Sequence, residues 1–89
     1  MTDYTPIDCR LHDHLELACM RRYRLRIRAS GGRIIVGTAC HTVTTPEKAE
    51  FLELEVDGQS VRLRLDEIIQ IEPLDEGAEF GPIRFQPAE

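Results

Sequence analysis

The side chains able to do chemistry in this 89-residue chain form three groups: cysteines with histidines, a pair of carboxylates, and a run of arginines. Cys9, Cys19 and Cys40 make no CxxC pair. Structural zinc is normally held by closely spaced ligand pairs, and Cys9-x-x-His12 is one such pair. Cys19 stands well beyond it, however, and His14 and Cys40-His41 supply no second pair. The expected state is therefore metal-free, with the cysteines acting as small apolar side chains. Cys40 beside His41 makes no nucleophile–base dyad, because neighbouring strand residues point to opposite faces. A Gly-rich phosphate loop and a G-x-S-x-G elbow are both missing, so the sequence predicts no enzyme and no cofactor.

Asp13 and Glu16 lie three residues apart and so share a face of any helix that contains them. By itself such a pair does no more than keep a helix soluble. Arg24, Arg26 and Arg28 alternate with apolar residues and would line one face of a strand. They could mark a nucleic-acid surface, but single-strand binders combine a basic groove with outward aromatics. Tyr23 has the inward parity, and acidic residues further along the chain can neutralise the arginines. Net charge is −5, which speaks against general binding to phosphate backbones. That charge is unevenly placed: six arginines fall between Arg21 and Arg33, and eleven of the sixteen acidic residues lie between Glu47 and Glu79.

The elements that must position these groups follow from periodicity. Residues 1–7 read as an extended arm, with Pro6 keeping Thr5 out of helical geometry and Asp8 as an N-cap. A helix is predicted from Cys9 to Met20, with Leu11, Leu15 and Ala18 as its buried stripe and Asp13 and Glu16 off it. From Tyr23 the period becomes two, giving a strand to Ala29 and a turn at Ser30-Gly31-Gly32. Closing that turn across Gly31-Gly32 pairs Ala29 with Ile34 and Ile27 with Val36. Residues 39–48 read as a loop. A third strand runs from about Glu50 to Val56, and Asp57-Gly58 is a two-residue hairpin signal. It sets Leu54 opposite Val61, Leu52 opposite Leu63 and Glu53 opposite Arg62. A fifth strand covers Ile68 to Ile71. The predicted fold is mainly β (α+β), an Sm-like antiparallel barrel of five strands with an N-terminal helix, since short strands need closure to protect their edges.

Eighty-nine residues support one domain, assigned here to residues 1–74, with 75–89 as an extended or mobile tail that Phe80, Ile83 and Phe85 could tack to the body. The absence of a signal-like N-terminus, of a long apolar run and of paired cysteines predicts a cytoplasmic protein, and the free protein is expected to be monomeric.

Beside this reading stands a resemblance. The segment Tyr4-Thr-Pro-Ile-Asp-Cys9 followed by Asp13-His-Leu-Glu-Leu-Ala-Cys19 resembles the N-terminal signature of the Rof (YaeO) family, with Phe51–Glu55 and Val61–Asp66 following in order. The resemblance covers roughly residues 4–72. It implies an Sm-like barrel and a protein that binds the N-terminal RNA-binding domain of the termination factor Rho, blocking RNA at its primary site. It also implies that the helix makes the contact, through Asp13, Glu16 and His12, the last where an aromatic residue is expected. Glu47 and Lys48, in a loop less basic and polar than the family pattern implies, complete the candidate set. The alternative is an Sm-like RNA-binding or RNA-chaperone module using Arg24, Arg26 and Arg28.

Overall fold

The computed structural model describes residues 9–85, so the predicted arm and the Asp8 cap lie outside the described residues. One helix, α1 (Cys9–Arg21), precedes six strands: β1 (Arg24–Ala29), β2 (Arg33–Thr44), β3 (Glu50–Val56), β4 (Gln59–Arg64), β5 (Ile68–Pro73) and β6 (Ile83–Arg84). They form one antiparallel sheet in the order β4-β3-β2-β1-β5-β6. The mainly β expectation holds, with two corrections to the five-stranded barrel: a sixth strand exists, and the sheet is not closed.

The sheet is nevertheless rolled. In a flat sheet four strand spacings would separate β4 from β5, roughly 19 Å. A single 3-10 turn, Leu65–Glu67, joins them, and such a turn rises only about 2 Å per residue. The sheet must therefore curl until the end of β4 approaches the start of β5. Leu65, in the turn between the two strands, is fully buried, as are Leu15, Leu25, Ile27, Leu52, Leu54, Ile68 and Ile71. The core thus takes the inward parity of β1, β3 and β4 and is lidded by Leu15 and Ala18 of α1.

The β3–β4 hairpin has the predicted register, pairing Leu52 with Leu63, Glu53 with Arg62 and Leu54 with Val61. Asp57 and Gly58 both have positive φ, 52° and 79°, as a type I′ turn requires. The β1–β2 hairpin departs from expectation by one residue. Ala29 pairs with Arg33, Arg28 with Ile34, and Ile27 with Ile35. Ser30, Gly31 and Gly32 together form a three-residue turn, with Gly31 and Gly32 both at positive φ. Adding one residue to the turn moves the following strand to its opposite face. Ile34 consequently lies outside, 64 % exposed, beside Arg28.

β2 is also longer than predicted, taking in residues 39–44 of the expected 39–48 loop. A bulge hid it. The register against β3 shifts between Ala39 and His41, leaving Cys40 as the extra residue and breaking the alternation. The tail past Leu74 is partly tied down: Ile71 pairs with Ile83, and the Phe85 N–H donates to the Ile69 carbonyl at 2.7 Å. No helix among the described residues is long and apolar enough to cross a membrane.

Candidate protein-docking site

α1 presents three different sides. Leu15 and Ala18 are fully buried against the sheet, with Leu11 half-buried on the same stripe. On one flank, His12 Nε2 meets Glu50 Oε2 at 2.8 Å. On the outward side, Asp13 and Glu16 are exposed and make no ion pair among the described residues. Met20 follows at the i, i+3, i+7 spacing of a single face and is 78 % exposed. Sequence reasoning missed Met20, although the signal was available: it misses the Leu11/Leu15/Ala18 stripe and lies seven residues after Asp13.

The β2–β3 connection carries the other two candidates, Glu47 and Lys48, both exposed. It is a tight structure. The Lys48 N–H donates to the Thr45 carbonyl at 2.8 Å, and the Thr45 N–H donates to the Ala49 carbonyl at 2.9 Å. The Ala49 N–H reaches the Thr45 hydroxyl at 3.2 Å. Lys48 itself sits at φ 68°, which ends the turn and returns the chain to β3. Glu50, two residues beyond Lys48, is the residue that His12 holds. The His12–Glu50 contact therefore ties the helix flank to the loop, and the five sequence-predicted residues belong to adjoining elements.

The arginine stripe has a different character. Arg26 pairs with Glu72 at 2.6 Å, Arg33 with Glu67 at 3.0 Å and Arg62 with Glu53 at 2.7 Å. Arg24 shares a shallow depression with Glu55 and Asp57. The nearest aromatics offer no platform for bases: Tyr23 is buried, and Phe51 lies under the Arg62 guanidinium at 5.6 Å. This face has the composition of an ion-paired sheet surface.

Cys19 shows no activation. Burial, followed by the neighbouring Cys40 and Glu16, pushes the Cys19 thiol up to about 11, with Arg22 opposing. A thiol so placed is a poor nucleophile and a reluctant metal ligand at neutral pH. Groups of three or more metal-ligating side chains are absent among the described residues.

The Glu53 carboxylate is tuned by its surroundings. The hydrogen bond from Arg62 holds its carboxyl below the ordinary glutamate value, and the charges of Arg62 and His41 act in the same direction. A lowered folded value stabilises the fold above the unfolded value of about 4.3, and the contribution disappears as pH falls through the lowered value. Glu53→Gln is therefore expected to lose less stability than wild type between neutral pH and pH about 3. Urea midpoints at the two pH values measure this, and equal losses would show that the Arg62 contact contributes nothing.

Fold and surface together define a small one-helix, six-strand β module in which no polar or charged residue is buried among those described. The family described as modulator of Rho-dependent transcription termination (ROF) matches residues 6–85. Protein rof of Escherichia coli (strain K12) is 35 % identical over 65 residues, covering 73 % of this chain and 76 % of that protein. Protein rof of Shigella flexneri matches over the same share at the same identity. The solved structure of YaeO bound to magnesium from Vibrio cholerae O395 superposes with a TM-score of 0.76 at 27 % identity, covering 83 % of this chain and 96 % of that one. The chain belongs to the ROF family of modulators of Rho-dependent transcription termination.

Proposed function

We propose that this protein inhibits termination by docking α1 and the adjoining β2–β3 loop on the N-terminal RNA-binding domain of Rho, so that RNA cannot engage the primary site. The supporting observation is the outward side of α1, where Asp13 and Glu16 stand exposed and unclaimed by the arginines of their own chain. A site built for single-stranded RNA presents basic and aromatic groups, and a rigid acidic face is complementary to it. Two or three carboxylates need not imitate RNA in shape. They need only occupy the phosphate-binding side chains and exclude the strand. Met20 adds an unbranched apolar side chain that adapts to an irregular partner surface. His12 acts from the flank, and Glu47 and Lys48 extend the contact from the loop. No catalytic step, metal or cofactor enters this mechanism, and the free protein acts as a cytoplasmic monomer.

Two binding measurements separate this reading from RNA binding by the arginine face. The isolated protein is expected to leave a pyrimidine-rich RNA unshifted in a gel. It is expected to bind the N-terminal domain of Rho with an affinity that falls as salt rises, because exposed charges are screened within about 10 Å at 0.1 M salt. A shifted RNA with no binding to the Rho domain would transfer the function to Arg24, Arg26 and Arg28.

A further inference from the structure

The footing of α1 is narrow, since Leu15 and Ala18 are its only fully buried side chains among those described. The chain after β5 supplies further support. The Leu74 N–H donates to the Arg24 carbonyl at 2.7 Å, and Asp75 Oδ1 accepts from the Arg24 N–H at 2.6 Å, which anchors the segment where β1 begins. Glu79 then reaches the end of the helix, its carboxylate 2.6 Å from Arg21 and its N–H donating to the Tyr23 hydroxyl at 3.0 Å. The Phe80 ring meets His14 edge-on at 4.9 Å and Tyr23 at 5.8 Å. The segment finally returns to the sheet as β6 on the free edge of β5. His14 and His12 lie on opposite flanks of the helix, about 200° apart at 100° per residue. α1 is thus held from both sides, by Glu50 on one and by Phe80 on the other.

We infer that residues 75–85 form a clasp that sets the orientation of α1 on the sheet, with Phe80 as its positioning residue. The consequence for docking rests on the reading that α1 carries the Rho contact. A helix presented rigidly need not be ordered when the partner arrives, so loosening the clasp weakens binding without removing any contacting group.

The test uses the full chain with Phe80→Ala and, as the conservative variant, Phe80→Tyr. Amide hydrogen exchange in α1 is expected to accelerate about tenfold in Phe80→Ala, the loss anticipated for a pair of edge-on aromatic contacts. Exchange in the β3–β4 hairpin should stay unchanged, and Phe80→Tyr should restore α1 protection. Affinity for the Rho N-terminal domain should fall and recover in parallel. Unchanged α1 protection, or acceleration in the hairpin equal to that in α1, would overturn the clasp. If Phe80→Ala does not fold, Phe80→Leu keeps an apolar side chain but removes the ring contacts to His14 and Tyr23 and should also accelerate exchange in α1; intact protection there overturns the proposal. Failure of the wild-type chain to bind Rho would instead count against docking, and the exchange data would still decide the clasp.

Discussion

Replacing Asp13 and Glu16 together by lysine is expected to weaken binding to the N-terminal domain of Rho by about a thousandfold, at about 1.4 kcal/mol per tenfold. Each carboxylate would lose a charge-assisted hydrogen bond to a basic side chain, costing about 1.5–3 kcal/mol. Reversal adds like-charge repulsion to that loss. The fold should not suffer, because both side chains are exposed and neither makes an ion pair among the described residues. Part of the loss should appear as slower association, since complementary charge acts on the encounter before contact. The control is the other charged face. Arg26→Glu with Arg28→Glu breaks the Glu72 pair but should leave Rho binding within severalfold of wild type. Normal binding by the Asp13→Lys/Glu16→Lys protein, with loss in the arginine variant, would move the contact from the helix to the sheet.

The largest effect on stability is expected at Gly37, where no surface chemistry is involved. Gly37 pairs with Leu25 in the middle of the sheet. A Cβ there would stand 2.7 Å from Val56 Cγ2, 2.9 Å from the Glu55 carbonyl oxygen and 3.3 Å from Leu54 Cβ. The backbone oxygen cannot swing aside, so β2 and β3 would have to separate where the rolled sheet draws them together. Gly37→Ala is expected to destabilise by about 1–3 kcal/mol, the ordinary range for overpacking a core. At this chain length that lowers the thermal midpoint by about 4–8 °C per kcal/mol. Val56→Ala in the same background removes the nearest contact and should recover part of the loss. An unchanged midpoint in Gly37→Ala would show that the two strands yield freely at this crossing.

Which parts of this molecule were legible in the sequence follows from what each depends on. The β3–β4 hairpin was read in register because Asp57-Gly58, the Leu52/Leu54 parity and the Glu53–Arg62 pair all agree. The helix stripe was read because Leu15 and Ala18 carry a simple period. The β1–β2 register was misread because Ser30-Gly31-Gly32 is compatible with either a two- or a three-residue turn, and that choice decides which face Ile34 takes. Half of β2 was hidden by the bulge at Cys40, since one unpaired residue reverses the alternation on which a strand is recognised. Openness of the sheet and the pairing of β6 depend on contacts between distant residues, Ile71 with Ile83 among them, that no local pattern announces. Within the candidate site, helical spacing placed Asp13 and Glu16 together on the outward side of α1, where both are exposed, whereas a docking role for them came from the family resemblance and not from the spacing. The joining of the helix to the start of β3 through His12 and Glu50 was not visible, because it is a contact between residues 38 positions apart rather than a local spacing.

Competition on Rho itself tests the central claim most directly. A labelled pyrimidine-rich RNA bound to full-length Rho would be followed by fluorescence anisotropy while this protein is added. Release of the RNA to its free anisotropy is predicted for wild type, with no release by Asp13→Lys/Glu16→Lys at the same concentrations. RNA that remains fully bound to Rho at a concentration of this protein that saturates the Rho N-terminal domain would contradict the account.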